Sequence, residues 1–400
     1  ENYRFSPAST AVNDLPATGQ AADFVATPMT VRLASLPAFV DEGFISLKVN
    51  VVRGGDTSGP ASVNYSTGTT NVMTPASDRS DYTYAAGTLS FAPNETTKSF
   101  TVLLSDDRIE EGWEGFTVNL SDPVGAILAA PTSTLVSIRD NELSTPPTNP
   151  IDESHIFVRQ HYHDFLNREP DQSGLEFWTW EIDKCGADAA CREVKRNNVS
   201  AAFFLSIEFQ QTGYLVYKTY KAAFNTGEAL AQKTFLKDTQ QIGLGVVVGG
   251  PNWEQQLDAN KQSYLNVFVQ RPEFTAAYPA TLTPAQFVDA LNANTGGSLI
   301  EGERASLVAE LTSGAKTRAG ALKAVVENAE FSRREFNKAF VLAQYFGYLR
   351  RGPSESPDTD FSGYNFWLGK LNEFNGNYIE AEMVKAFITS LEYRRRFGPQ

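Results

Sequence analysis

The sequence predicts two domains of unlike class: an antiparallel β-sandwich, then an all-α domain containing an internal duplication. Three observations carry that prediction. Short stretches between residues 31 and 142 alternate apolar and polar side chains, the period-two signature of a strand with one buried face. Residues 143–150 are rich in proline. Beyond them, apolar residues recur at the three- and four-residue spacing of helices. A chain of 400 residues is also long for a single hydrophobic core.

Residues 1–30 are rich in Ala, Pro and Thr and have little period, so they read as an N-terminal arm in which only Asn2–Ser6 suits a short strand. Residues 31–142 read as the sandwich. Phe44–Val52 alternates strictly, and the glycines after Arg53 supply a turn. Ala61–Ser66, Gly87–Phe91, Ser99–Leu104, Phe116–Leu120 and Thr134–Ile138 follow as strands between Gly, Pro, Asn and Asp. Residues 143–150 form a stiff linker, because each proline fixes its own φ and disfavours helix before it. Residues 151–400 read as helical, with helices expected at Ile156–Arg168, Ala201–Gln211, Tyr214–Phe224, Asn252–Val269, Pro284–Leu291, Glu301–Leu311, Ala321–Ala329 and Phe336–Arg350. Thr283-Pro284 marks a helix start.

An echo runs through that half. Phe165–Asp171 leads on to Gly174-Leu175-Glu176-Phe177-Trp178, and Tyr348–Pro353 leads on to Gly363-Tyr364-Asn365-Phe366-Trp367. Leu205–Phe209 has a counterpart in Ile388–Tyr393. Trp178 and Trp367 read as core filling between duplicated units, or as sugar- or partner-binding aromatics.

Composition excludes some functions. The net charge of −13 speaks against a nucleic-acid partner, which needs a surplus of Lys and Arg, and suits hard divalent cations. No apolar run reaches the eighteen residues or so of a membrane span. The start at Glu1-Asn2-Tyr3 reads as a mature secreted chain or an ordinary cytosolic one. The two cysteines, Cys185 and Cys191, suit one local disulfide, with a pair of reduced thiols as the alternative. His155, His161 and His163 are the only histidines, and the latter two point apart on a helix. No Gly-x-Ser-x-Gly, His-Glu-x-x-His or phosphate-binding loop is present. Gly243–Gly250 reads as a helix end or a close helix crossing. The chain does not read as an enzyme.

Asp106–Phe116 places five acidic side chains in nine positions. Taken alone it is a solvated loop or half of a calcium site. Residues 87–102, then Asp-Asp-Arg-Ile-Glu-Glu-Gly-Trp-Glu-Gly-Phe (106–116) with its sequel to Ser121, then Ile-Arg-Asp-Asn-Glu (138–142) together resemble the Calx-β family. The resemblance implies a sandwich holding calcium ions at one end. Matched position by position, it implies as ligands Glu42, Asp81, Asp106, Asp107, Glu111, Glu114 and Asp140, with the carbonyl of Ile109. Glu142 closes the last triplet, which carries less charge here than the fullest versions of the family. Phe157-Val158-Arg159-Gln160 through Arg168-Glu169-Pro170-Asp171 to Trp178 resembles the helical family called domain of unknown function 4214, which implies a bacterial secreted or surface protein and no particular activity.

These readings converge on an extracellular structural protein with a calcium-stabilised sandwich. It is expected to self-associate, as a filament subunit whose residues 1–29 add a strand to a neighbour's sheet edge; the alternative is that the arm folds back on its own sandwich. A calcium-dependent adhesin that binds carbohydrate or another surface through Trp178 and Trp367 is the competing function.

Overall fold

The computed structural model describes residues 3–5, 26–142 and 148–398. Most of the expected arm and residues 143–147 of the expected linker therefore lie outside the described residues. The chain divides into two compact units: one of residues 1–106 and 110–143, and one of residues 144–400, with which the short segment Asp107–Ile109 is grouped.

The first unit is a two-sheet sandwich. Its strands are β1 (Tyr3–Phe5), β2 (Ala26–Pro28), β3 (Thr30–Leu33), β4 (Phe39–Asp41), β5 (Ser46–Gly54) and β6 (Ala61–Gly68). They continue with β7 (Ala86–Phe91), β8 (Thr97–Leu103), β9 (Trp113–Val124), β10 (Ile127–Leu128) and β11 (Ser133–Arg139). One sheet has the order β10-β3-β5-β8 and the other β4-β11-β9-β6-β7, while β1 and β2 form a separate antiparallel pair. Alternation places Val49 and Val51 of β5, Phe100 and Val102 of β8, Val63 of β6, Phe116 and Val118 of β9 and Val136 of β11 in one buried cluster. Burying each such side chain contributes about 1.5–3 kcal/mol. Tyr65 stacks on Phe100 with ring centres 3.8 Å apart, and Tyr82 on Phe116 at 4.6 Å.

Strand positions follow the alternation, but their bounds shift. Phe44 belongs to no strand: Glu42–Phe44 is a 3₁₀ turn closed by Ile45 in the left-handed region, at φ 49, and β5 starts at Ser46. The short strands β4 and β10 escape a reading by period because three or two residues carry no alternation. Each pairs in parallel, β4 with β11 and β10 with β3.

The second unit is helical. After a 3₁₀ turn at Pro150–Asp152, which starts on the last residue of the expected linker, come α1 (Ser154–His161), a π turn over Tyr162–Leu166, α2 (Gln172–Asp183), α3 (Ala189–Leu205), α4 (Ile207–Gln211) and α5 (Gly213–Phe224). Further helices cover Gln232–Gly243, Trp253–Phe268, Pro272–Ala277, Pro284–Asn294, Glu301–Ser313 and Arg318–Val326. Ala329–Gln344 then runs into a second π turn at Tyr345–Leu349, followed by Ser362–Glu373, Met383–Ile388 and Leu391–Arg394. The helix expected over Ala201–Gln211 is broken at Ser206, which turns extended (ψ 148) and accepts the Phe209 N–H. Asn328 breaks the one expected over Ala321–Ala329 in the same way, accepting from Phe331 N. Short polar side chains that bond to the backbone compete with helix continuation. Thr283 and Gln286 form a capping box ahead of Pro284, and Gly243 ends its helix. Cys185 and Cys191 are joined in a disulfide between α2 and α3, Cα atoms 5.6 Å apart. His161 and His163 are both buried with separate partners, Phe157 O and Ser200 Oγ for the first and Glu169 for the second.

Candidate metal centre

One end of the sandwich gathers acidic residues from four stretches: the turn before β5, the segment ending at Asp81, the β8–β9 loop and the chain just after β11. Backbone hydrogen bonds fix the carboxylates of Asp81, Asp107 and Asp140. Asp140 accepts the N–H groups of Glu111 and Gly112 on Oδ2, at 2.7 and 2.8 Å, and that of Glu142 on Oδ1 at 2.8 Å. Asp107 Oδ1 accepts from Ile109 N at 2.6 Å, and Asp81 Oδ2 from Ser77 N at 2.5 Å. The Asp81 carbonyl takes the Ser105 N–H at 2.8 Å, which ties the two acidic loops together. Gly112, at φ 82, supplies the left-handed step that lets both N–H groups reach Asp140.

Two triads result. Glu42, Asp140 and Glu142 each bring a carboxylate oxygen within 4.8 Å of the others, and Asp81, Asp107 and Glu111 do the same. Glu42, Asp81 and Asp107 are buried. Like charges this close oppose ionisation. Desolvation, reinforced by Asp81 and Asp140, pushes the Glu111 carboxyl up to about 7. Desolvation, with the bond to Asp140 and the charges of Asp106 and Asp140, does the same to Glu142. Burial works in the same direction on Asp140, but its three backbone donors outweigh it and hold that carboxyl below the usual range.

The donor set fits calcium, a hard ion taking six to eight oxygens. The oxygens are carboxylate throughout, and two of them, Asp81 Oδ1 and Glu142 Oε2, are buried without a hydrogen-bond partner among the described residues. A buried acceptor left without a donor is costly, and a cation would relieve it.

Of the residues expected from the sequence, six stand in the triads. Asp106 is beside them, accepting from Asn141 Nδ2 at 3.2 Å. Ile109 lies in the same loop, with its N–H turned to Asp107. Glu114 is part of β9, opposite Ile138, and joins neither triad. The ligand reading missed Trp113 and Arg139, cross-strand partners that line a cleft of about 370 Å³ with Glu110, Glu111, Gly112, Asp140 and Glu142. Trp113 meets Phe39 edge-on at 5.6 Å, and Arg139 lies 4.8 Å over the Phe39 ring with its Nε 2.5 Å from Asp41 Oδ1. The signal was a tryptophan inside an acidic run.

Comparison with known proteins finds relatives for both parts of the chain. Residues 26–142 match the Calx-beta domain, and residues 148–212 match a domain of unknown function, DUF4214. The second match covers only the first part of the helical unit. Eighty residues are 39% identical to the human extracellular matrix organizing protein FRAS1, over 20% of this chain and 2% of that protein. A stretch of 129 residues is 32% identical to extracellular matrix protein 3 of the sea urchin Lytechinus variegatus, over 30% of this chain and 4% of that one. The chain thus spans only a few per cent of the length of these curated relatives. The crystal structure of CBD12 from CALX1.2 is 33% identical, covering 28% of this chain and 45% of that chain, with a TM-score of 0.26.

Proposed function

We propose that this chain is a structural part of an extracellular protein whose sandwich is clamped by calcium. The observation that carries the reading is the pair of carboxylate triads, drawn from four stretches and including buried oxygens without donors. Bound cations neutralise charges that otherwise repel, and so fix loops that belong to different strands. The similarity to extracellular matrix proteins and the disulfide favour an oxidising, extracellular setting. No helix among the described residues is long and apolar enough to cross a membrane.

The test is calcium binding by calorimetry together with thermal unfolding. Calcium at a hundred times its Kd adds about 2.7 kcal/mol to the folded state, which corresponds to on the order of 10 °C for a domain of this size. Chelator reverses the shift. Asp140→Asn, which removes the charge and turns one of the two accepting oxygens into a donor, weakens binding by at least about tenfold. Identical melting of calcium-loaded and chelated protein rules the clamp out.

Self-association is part of the same proposal. The support is the strand character of Tyr3–Phe5, which pairs with Ala26–Pro28 in the single chain and has the chemistry to pair with a neighbour instead. Removing residues 1–29 and measuring mass by light scattering in calcium separates the two: assembly that survives the deletion excludes the arm as connector.

A further inference from the structure

Two stretches of the helical unit follow one plan. Each runs from a helix into a π turn, Tyr162–Leu166 and Tyr345–Leu349, closed by a left-handed residue, Asn167 at φ 54 and Arg350 at φ 52. An arginine follows and lies over the tyrosine of its own turn, Arg168 at 4.9 Å from the Tyr162 ring centre and Arg351 at 5.5 Å from that of Tyr345. Each arginine grips a glutamate with two prongs, Glu208 at 2.7 and 2.8 Å and Glu392 at 2.5 and 3.0 Å. In each, a half-buried tryptophan, Trp178 or Trp367, meets an exposed phenylalanine edge-on, Phe177 or Phe366.

They differ in one loop. Three residues separate Pro170 from Gly174, whereas nine separate Pro353 from Gly363. The longer loop wraps its arginine. Arg351 Nη1 donates to the carbonyls of Gly352 and Glu355, at 3.2 and 2.9 Å, and Nη2 reaches Asp358 at 2.9 Å. With Glu392 this occupies all five N–H groups of the guanidinium, and the side chain is 2% exposed. Arg168 uses three: two on Glu208 and one on the Glu169 carbonyl at 3.0 Å, with Asp171 standing off at 3.7 Å. Its side chain is 18% exposed. It lines a cleft of about 200 Å³ whose apolar wall is Trp178, Phe203, Ile207 and Val248. Ile207 is 57% exposed, and its counterpart Leu391 is 54% exposed.

We propose that the cleft over Arg168 is a docking site for an extended polypeptide segment of a partner chain. The segment gives a backbone carbonyl to the N–H groups that Arg168 leaves over, and an apolar side chain to the Trp178–Phe203–Ile207–Val248 wall. The second stretch supplies the template, since there the chain's own loop delivers such a carbonyl from Glu355. Charge agrees: Arg168 against Glu208 and Asp171 sums to minus one, so the cleft has no positive surplus to draw an anion, and a neutral carbonyl suits it. This site is independent of calcium.

The test titrates full-length protein, ¹⁵N-labelled at tryptophan, with an end-capped synthetic peptide of residues 352–361 carrying Glu355→Gln, Asp358→Asn and Asp360→Asn, so that it is neutral, up to a few millimolar. The indole signal of Trp178, assigned with Trp178→Phe, is expected to move, and that of Trp367 to stay. Replacing residues 171–173 by the sequence of 354–362 fills the cleft and weakens binding at least tenfold, with an unchanged circular dichroism melt showing that this variant folds. The proposal fails if the Trp178 signal does not move, if it moves equally in the loop-exchanged protein, or if it answers N-acetylglucosamine and not the peptide.

Discussion

Glu111 and Glu142 hold the protons that make six clustered carboxylates tolerable without metal. Their folded-state pKa of about 7 lies above the unfolded value near 4.5, so the folded chain keeps protons that the unfolded chain releases between those limits. The metal-free sandwich is therefore favoured below about pH 4.5 and loses that advantage as pH rises through 7. Calcium takes the place of those protons, and its binding must release them. Calcium affinity is expected to rise between pH 6 and pH 8, by up to about tenfold per unit for each proton released, and to level off above that. Calorimetry in buffers of different ionisation enthalpy reads the protons directly. Equal affinity at pH 6 and 8.5 shows that neither carboxyl takes part. Sequence alone showed where the acids are dense, but the triads join residues up to a hundred positions apart. Only the resemblance, which fixes the order of strands, brought Glu42 and Asp81 to the run at 106–114. Glu114 stands in β9 opposite Ile138 and in neither triad, a placement that an acidic run does not reveal by itself.

Among the elements, α1 and its π turn carry the strongest internal demand. Asp164 is buried between Arg350 and Arg396, with contacts of 2.6 and 3.0 Å, and takes a further bond from Gln160 at 2.7 Å. Burial would raise its pKa; the two guanidinium charges outweigh it and bring it to about 2. One turn earlier, burial lowers His161 to about 4, against the bond to the Phe157 carbonyl and the charge of Asp164. Both folded values lie below the unfolded ones, so both groups contribute stability at neutral pH that acid removes: His161 between pH 6.5 and 4, Asp164 between 3.8 and 2. The histidine alone accounts for on the order of 3 kcal/mol. Urea unfolding followed by helical dichroism should show stability falling from pH 6.5 to 4, and His161→Phe, which has nothing to titrate, should flatten that slope. An unchanged slope places the acid sensitivity elsewhere. These buried ions were not legible as such. Helical spacing placed the helix, but the π turn that follows His161 and carries His163 has no periodic signature, and Asp164 meets Arg350 only across 186 positions. Ser206 and Asn328 were likewise read through as helix interior, because a cap is told from an interior residue by where its side-chain oxygen bonds.

For the whole molecule, the division into a strand unit and a helical unit was plain from the change of period near residue 143, and each unit has its own buried cluster. Two cores separated in sequence make a specific thermal prediction. A single cooperative transition is the rule for one small domain, not for two. The carboxylate triads are drawn from residues 42–142, and among the described residues the buried Asp164 and Asp238 of the helical unit already have arginine partners at 2.6 Å. Differential calorimetry of the full chain should therefore resolve two transitions, of which calcium raises one and leaves the other within about a degree. In metal-free protein, lowering the pH from 6.5 to 4 should lower the helical transition, through His161, and raise that of the sandwich, through Glu111 and Glu142. Opposite responses of two transitions to two small ligands, calcium and the proton, identify which core each transition reports. If calcium shifts every transition equally, the two cores unfold as one body, and the clamp acts on the whole chain, not on the sandwich alone.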